Sequence, residues 1–407
     1  MISLVVLVLV AIASADDLPW FQYDGDSHYE FGLALGEHFQ ATIQARVAQT
    51  TSLNSILLPF AHTSQGNEIY NTYLATHNAT FPEYVQEVLG MAHGSFVPFE
   101  TLFILNIIEE FTSSMNKAAL SNGLFQPATL HCSDVILHTK DVCLVAHNED
   151  SGAASVNRTA IVTARIKDNG WFTAYTYLGD LPTGAFGANG NGIAFSLNYV
   201  EPLDIDGNGL GRGFISRDLL TAKNFSHAID IATQPHQATG HNIQACIALL
   251  MDIVRKQVVN IEVASFNRSV VTTFTANSQP FFHTNQYQTL LIRQPAFSSS
   301  YHRLRRYKHL PLPTTIQSIL NVLGDQGDTS YPIYHDAISH AKGELSNWTL
   351  ITVVFDVYNS KLYFLQPHIN PKLAQVIMVL DLDNVKELQI LRSIQERTEA
   401  TKRLLQL

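Results

Sequence analysis

The sequence predicts an α+β protein in which two stacked, mainly antiparallel β-sheets are covered by helices. Residues 31–111 carry apolar side chains at helical spacing, and a series of hairpin patterns follows residue 130. Several strands of these hairpins are apolar on both faces, so each needs cover on both sides. Stacked sheets with an outer layer of helices satisfy that requirement.

The predicted elements follow one another in a simple order. Phe31, Leu35 and Phe39 lie on one face of a first helix, Pro82-Glu83 begins another, and residues 112–130 collect turn-forming residues and predict a loop. Predicted strands begin only after this loop. Hairpins are predicted over residues 132–147, 160–177 around Asn169-Gly170, 258–274 and 350–366, with helices at 215–233, 242–255, 315–323 and 384–407.

The composition excludes several classes of protein. The 407 residues carry a formal net charge of −10, with 46% hydrophobic and only 15% charged residues. So apolar a chain is not intrinsically disordered. Nucleic acid is not predicted as a partner, because the sequence has no basic tail and no domain-wide excess of positive charge to neutralise phosphates.

The amino terminus predicts entry into the secretory pathway, with a secreted or lysosomal destination. Residues 1–15 resemble a signal peptide, because the apolar run is short and ends in the small residues Ala13-Ser14-Ala15. No later segment predicts a membrane anchor. Five N-x-S/T sequons are predicted glycosylation sites: Asn78, Asn157, Asn224, Asn267 and Asn347.

No cofactor and no metal site are predicted. The 17 histidines include no H-x-x-x-H pair beside a glutamate, and the glycine-rich stretch 187–192 has no phosphate-loop lysine. The basic cluster at residues 302–306 is interpreted as a solvated face.

The hairpin that begins at Cys132 brings together groups with useful chemistry. A turn near Thr139-Lys140 places Cys132 opposite residue 147 or 148, so that Asn148 and Asp150 lie near the thiol. The alternative is structural, because most unpaired cysteines are small buried hydrophobic residues. Asn148 and Asp150 would then be ordinary residues at the end of a hairpin.

The segment from Cys132 to Asn148-Glu149-Asp150 resembles the amino terminus of the mature β-chain in the penicillin acyltransferase-like cysteine peptidase family, a branch of the N-terminal nucleophile hydrolases. The tripeptide Asn148-Glu149-Asp150 is more similar to the corresponding sequence of the animal branch of β-alanyl-dopamine hydrolases than to that of the fungal acyltransferases. Further matches follow in the same order along the chain: Asn189-x-x-Gly192-Ile193-Ala194, Leu197-Asn198-Tyr199, Gly240-His241-Asn242 and His283-Thr284-Asn285.

This resemblance implies an αββα sandwich and a chain that cleaves itself between His131 and Cys132. The products would be a helical α-chain of residues 16–131 and a β-chain of residues 132–407, which remain associated as one domain. Cys132 would be the nucleophile and Asp150 would hold the new ammonium. Asn198 and Asn285 would stabilise the oxyanion, with Asn148 and Glu149 in substrate or supporting roles.

Elementary proton chemistry explains why such a cysteine must become terminal. A peptide nitrogen cannot accept a proton, so the uncleaved Cys132 is expected to lack a built-in base. A free α-amine has a pKa of about 7.7–8.0, near the thiol's value of about 8.5, and can therefore serve as that base.

The predicted activity is hydrolysis of linear amides through a Cys132 thioester, with an N-acyl amine of the β-alanyl type as the small-molecule substrate. Two alternatives remain open at this stage. One is an acyltransferase that uses an amine acceptor, and the other is a non-catalytic secreted glycoprotein. Because the nucleophile must stay free, any disulfide would join Cys143 to Cys246, and two free buried thiols are an equal alternative.

Overall fold

Two β-sheets stack face to face in the computed structural model, which describes residues 18–118, 132–167, 169–247, 257–296, 298–336 and 347–407. In this part of the chain one sheet has eight strands and the other has seven. The strands of the first sheet, numbered in chain order, are β1 (Trp20–Gly25), β4 (Thr159–Ile166), β5 (Trp171–Tyr177), β6 (Phe186–Asn189), β7 (Ile193–Val200), β8 (Gly240–Ile247), β9 (Val258–Ala264) and β10 (Arg268–Phe274). Their order in the sheet is the order given.

The second sheet contains the hairpin that begins after Cys132. Its strands are β2 (Ser133–His138), β3 (Cys143–Gly152), β11 (Phe281–His283), β12 (Asn347–Asp356), β13 (Lys361–Leu365), β14 (Val376–Asp381) and β15 (Leu388–Ile390). The spatial order is β11-β2-β3-β12-β13-β14-β15, and every pairing is antiparallel. The hairpin therefore lies inside the sheet, with β11 on one side and β12 on the other.

Helices cover the outer faces of both sheets. The first sheet is covered by α1 (His28–His38), α2 (Gln40–Gln49), α3 (Leu58–Ala61), α4 (Ser64–Thr80), α5 (Pro82–Ser95), α6 (Phe99–Asn106), α7 (Ile108–Ala118), α8 (Arg212–Leu219) and α9 (Phe225–Ala232). Two helices that pack on the second sheet are α11 (Ile316–Leu323) and α12 (Ile394–Leu405), and α10 (Ser298–Tyr307) lies beside β11. The predicted αββα sandwich is confirmed.

Alternation along β3 shows why these strands are apolar on both faces. Cys143 and Val145 belong to the core between the sheets, whereas Leu144 and Ala146 pack against the outer helices. Successive side chains point to opposite faces of a strand, so β3 contributes side chains both to the core between the sheets and to the core beneath the outer helices. Covering both faces keeps this central strand dry.

Glycines allow helices α1 and α5 to cross closely. A Cβ atom on Gly32 of α1 would lie 2.0 Å from the carbonyl oxygen of Glu87 in α5, and one on Gly90 would lie 2.1 Å from that of Tyr29. No side chain fits at either position. The buried Glu87 of α5 contacts His28 of α1 across this crossing at 2.5 Å, and it also pairs with Arg217 of α8 at 2.7 Å.

Several sequence predictions about the elements were wrong. The strand β1 precedes the helices and pairs in parallel with β4, whereas no strand was predicted before residue 112. Helix α7 continues to Ala118, inside the predicted loop, and the remainder of that loop lies outside the described residues. The carboxy-terminal helix begins at Ile394 rather than near residue 384, because Leu388–Ile390 pairs with β14.

The predicted helix at 242–255 is a strand where it is described. Residues 240–247 form β8, which pairs with β7 on one side and β9 on the other. Ile243 and Ala245 face the helical layer while Cys246 faces the second sheet. A short apolar run is compatible with the periodicity of a helix or of a strand. Here the segment is a strand because it pairs with a neighbouring strand on each edge. No disulfide joins Cys143 to Cys246 among the described residues.

No helix in the described ranges combines the length and the apolar character needed to cross a membrane.

Candidate active site

Cys132 immediately precedes the strand β2 and is buried. Ser133 pairs with Asn148 and Asp134 with His147, so Cys132 lies opposite Glu149, one position beyond the predicted one. The thiol donates toward Glu149 Oε2 at 3.6 Å, and the carbonyl oxygen of Asp150 lies 3.9 Å from Sγ. Burial, followed by the charge of Glu149, raises the pKa of this thiol to about 12. The uncleaved chain therefore holds Cys132 as a neutral thiol.

Asp150 lies beside Cys132 and lacks a hydrogen-bond partner for either carboxylate oxygen. His335 Nε2 is 3.6 Å from Oδ2. Burial raises the pKa of Asp150 to about 7, against the opposing charge of His335. A buried polar group without a partner is costly, and a cation within reach would satisfy it. The predicted role of Asp150 in holding an ammonium is compatible with this environment.

Glu149 and His147 point to the other face of β3, toward the first sheet. His147 Nε2 lies 2.8 Å from Glu149 Oε2, and Tyr177 of β5 donates its phenol hydrogen bond to the second oxygen of Glu149. On its other side His147 Nδ1 lies 2.9 Å from Asp134 Oδ1. Burial lowers the pKa of His147, but Asp134 foremost, together with hydrogen bonds of the ring to Cys132 and Glu149, raises the pKa well above its ordinary value. The position of the His147 ring between the carboxyl groups of Asp134 and Glu149 therefore favours its protonated form.

Asn198 of β7 joins the same network from the first sheet. Its amide group donates to Asp134 and lies 3.4 Å from Asn242 Oδ1 and 3.3 Å from His283 Nδ1. Ser196 donates to Asp134 at 2.8 Å. The described hydrogen bonds of Asn198 thus run to Asp134 and its neighbours rather than to Cys132. Its predicted oxyanion role stays a prediction.

Asn285 reaches Cys132 through an arginine. Its Nδ2 donates to the carbonyl oxygen of Tyr199 at 2.9 Å, and its Oδ1 accepts from Arg303 at 2.7 Å. Arg303 in turn donates to the carbonyl oxygen of Cys132 at 2.6 Å and to Ser133 Oγ at 2.9 Å. Arg303 therefore links the Asn285 side chain to the backbone of Cys132.

Arg303 is a residue that the sequence interpretation placed wrongly. The cluster at 302–306 was interpreted as a solvated face, yet Arg303 is completely buried. The available signal was helical spacing, because Ser299 and Ser300 are small, precede Arg303 by four and three residues, and are buried with it on one face of α10. His147 and Asp134 were also missed as members of the site.

Asn148 connects the hairpin to its surroundings rather than to the thiol. It donates to the carbonyl oxygen of Leu323 at 2.9 Å and accepts from Thr352 at 2.7 Å. These bonds fix β3 against α11 and β12. Its placement favours the supporting role among those predicted.

Cys132, His147 and Glu149 form a group in which one atom of each residue lies within 4.8 Å of the others. Such a set is chemically suited to a metal ion. Hydrogen bonds already engage the Glu149 carboxylate and the His147 ring within the group. We therefore interpret the group as a proton network.

A cavity of about 400 Å³ adjoins this network through Tyr177 and the segment after Asp150. Its walls include Leu105, Ile108 and Leu181. Two ion pairs also line it, Arg46 with Asp180 at 2.7 Å and Arg212 with Glu109 at 3.1 Å. The cavity has the size and mixed polarity of a small-molecule site.

The other predicted positions lie apart from this site. Asn78, Asn157, Asn224 and Asn267 are exposed, and the side chain of Asn347 and all of His131 lie outside the described residues. The segments 1–15 and 119–131 lie outside them as well.

Comparison with known proteins identifies the family. The model of the acyl-coenzyme A:6-aminopenicillanic acid acyl-transferase family matches residues 137–368, more than half of the chain. The chain belongs to this family. The match includes Asp150, Asn198 and Asn285 and begins five residues after Cys132.

One curated relative and two solved structures are also similar. The beta-alanyl-dopamine/carcinine hydrolase of Drosophila melanogaster is 27% identical over 332 residues, which cover 77% of this chain and 84% of that protein. A mutant conjugated bile acid hydrolase from Clostridium perfringens is 13% identical with a TM-score of 0.30, and the match covers 64% of this chain and 97% of that protein. Penicillin V acylase from Agrobacterium tumefaciens is 12% identical with a TM-score of 0.31, and the match covers 64% of this chain and 98% of that protein. The predicted family and an enzyme acting on linear amide bonds are confirmed.

Asp150 makes the stability of the uncleaved chain depend on pH. The pKa of Asp150 is about 7 in the folded chain and about 3.9 in the unfolded chain, so the folded chain binds the carboxyl proton more tightly. The stability that this proton contributes is fully present below about pH 4 and is lost as the pH rises to about 7. In an uncleaved Cys132→Ala chain, Asp150→Asn should remove up to about 3 kcal/mol of the loss that falls between pH 5 and pH 8. Urea unfolding at pH 5 and pH 8 measures it. Asp141→Asn, at the exposed turn of the same hairpin, is the control, and an unchanged pH dependence in Asp150→Asn would contradict the assignment.

The two possible roles of Asn198 can be separated by comparison with Ser196. If Asn198 donates to the oxyanion, Asn198→Ala in matured protein should lower kcat by about 10²–10³ with a smaller effect on KM. Ser196→Ala removes another donor to Asp134 and should have a much smaller effect. Equal losses in both variants, or a parental rate for Asn198→Ala, would show that Asn198 acts only through Asp134 or is structural.

Proposed function

We propose that this chain is a self-cleaving amidohydrolase that uses Cys132 as an amino-terminal nucleophile. The observation that supports this most directly is the convergence on Cys132 of a carboxylate with unsatisfied oxygens, Asp150, and of the bridge from Arg303 to Asn285. These groups are brought together from β3, α10 and the segment after β11. A structural cysteine in an apolar core has no need of such neighbours.

Cleavage between His131 and Cys132 would complete the site. The new α-amine is close in pKa to a thiol and takes its proton, which makes the nucleophile its own general base. Asp150 then acquires a cation, and its carboxylate is satisfied. The Cys132 thiolate attacks the amide carbon of the substrate, releases the amine and leaves a thioester that water hydrolyses.

The two products of this cleavage would remain together. Strand β1 pairs with β4 along six residues, and helices α1 to α7 share one hydrophobic core with strands that follow Cys132. Burial on that scale outweighs the gain in freedom from one broken peptide bond. The α-chain of residues 16–131 would therefore remain a structural part of the mature enzyme.

The substrate that we propose is an N-acyl amine of the β-alanyl type. The 27% identical relative acts on beta-alanyl-dopamine and carcinine by its description. The cavity beside Tyr177 is of a size for such a molecule, and its carboxylates Glu109 and Asp180 offer acceptors for an ammonium group. The apolar wall residues Leu105 and Leu181 suit the amine portion.

Acyl transfer is the second candidate, because the family is described by that activity. Both reactions share the thioester, and they differ in whether water or an amine attacks it. An assay with excess amine acceptor distinguishes them. Formation of a new amide faster than free acid would favour the transferase.

Maturation is tested with the nucleophile itself. Cys132→Ala should remain a full-length chain on a denaturing gel, because the same thiol performs self-cleavage and turnover. The parent should give a new amino terminus at Cys132 by sequencing. Two normal fragments from the alanine variant would show that another protease cuts the chain, and an uncut parent would contradict self-cleavage.

We also propose that the chain enters the secretory pathway and is glycosylated. The exposure of Asn78, Asn157, Asn224 and Asn267 leaves these four sequons accessible to a glycosyltransferase. Protein from a eukaryotic secretory host should lose apparent mass after endoglycosidase treatment. An unchanged mass would count against this placement.

A further inference from the structure

We propose that Glu149 is the general base that starts self-cleavage of the uncleaved chain. This inference rests on the self-cleavage proposed above and concerns the step before the α-amine exists. In the uncleaved chain the nitrogen of Cys132 is an amide and cannot accept the thiol proton. Another acceptor is needed, and the sequence offered none.

Glu149 is in the right place for this task. Its Oε2 accepts from the Cys132 thiol at 3.6 Å, whereas the side-chain oxygens of Asp150 make no hydrogen bond to it. The carboxylate is oriented by His147 at 2.8 Å on one oxygen and by the Tyr177 phenol on the other. Two donors hold it in a single position against the sulfur.

The charges around the site select Glu149 over His147 as the acceptor. His147 is flanked by Asp134 at 2.9 Å and Glu149 at 2.8 Å, and Asp134 raises the pKa of its imidazole well above the ordinary value despite burial. An imidazolium has no lone pair to offer. Transfer from Cys132 to Glu149 moves one negative charge from oxygen to sulfur without adding another to the buried cluster, and the cation of His147 remains beside it.

The groups that face Glu149 come from three strands. His147 lies on β3, the same strand as Glu149. Asp134 lies on β2 on the far side of His147, and Tyr177 lies on β5. Cys132 precedes β2. Each polar contact of the carboxylate is therefore made within the space between the two sheets.

The reaction balances with water as the co-reactant. Glu149 takes the thiol proton, and the thiolate attacks the carbonyl carbon of His131 to form a C–S bond. The C–N bond between His131 and Cys132 breaks as Glu149 returns the proton to the leaving nitrogen, which becomes the α-amine. Water then hydrolyses the thioester to the His131 carboxylate and the free Cys132 thiol.

The test follows the full-length chain after cell-free synthesis. Glu149→Gln should slow cleavage between His131 and Cys132 at least 100-fold, and Glu149→Asp should be intermediate, at least tenfold faster than the glutamine variant. Glu87→Gln is the matched control, because Glu87 is another buried carboxylate that contacts a histidine, but in the helical layer. It should cleave within about threefold of the parent. Gel densitometry gives the rates, and intact mass locates the cut.

Hydroxylamine separates the two chemical stages, because it cleaves a thioester without help from the protein. If Glu149 is needed to form the thioester, hydroxylamine should not restore cutting in Glu149→Gln. A cut at the parental rate with hydroxylamine, or without it in a folded variant, would overturn the role of Glu149. Circular dichroism and thermal unfolding confirm folding, and if the glutamine variant unfolds, a parental rate in Glu149→Asp would overturn the role instead. A parent chain that stays uncut would overturn the proposed self-cleavage itself.

Discussion

The burial of ionisable side chains between the two sheets is the constraint on which the site depends. A charge taken out of water costs several kcal/mol unless it is paired and hydrogen-bonded. Asp134 meets this condition through His147, Ser196 and Asn198, and Glu149 meets it through His147 and Tyr177. Since Ser196, Asn198 and Tyr177 belong to the opposite sheet, the network also fixes how the sheets are positioned against each other.

Asp150 forms a contrast with this satisfied network. It follows Glu149 directly, yet it points to the other face of β3 and its oxygens have no hydrogen-bond partner. An unsatisfied buried carboxylate is a cost that a folded chain rarely carries without a reason. In the proposed maturation, the ammonium that Asp150 would hold forms only when the peptide bond before Cys132 is broken. Until then the carboxylate faces His335, whose Nε2 lies 3.6 Å from Oδ2.

The helical amino-terminal region has a structural part in this arrangement. It adds β1 to the edge of the first sheet and covers that sheet with seven helices among the described residues. Its residues Leu105, Ile108 and Glu109 also line the cavity. The segment that self-cleavage would separate from the nucleophile thus supplies one wall of the proposed substrate site.

Hairpins of both sheets could be predicted from the sequence because their signals are local. A tight turn joins β2 to β3, Asn169-Gly170 joins β4 to β5, and strands apolar on both faces required cover on both sides. The same local signals predicted that Asn148 and Asp150 lie near Cys132. Residues 242–247 could not be assigned in this way, since a short apolar run fits a helix or a strand until its neighbours pair with it.

The sequence by itself determined the family, the sandwich and the hairpin that carries Cys132, because these depend on the order and spacing of residues along one stretch of chain. Only the tertiary structure decided that Arg303 is buried against Cys132 and that Asn198 bonds to Asp134. Arg303 is 171 residues from Cys132, and Asn198 is 64 from Asp134. Contacts at such separations arise from sheet stacking and helix docking, and the pattern of residues near either partner does not encode them.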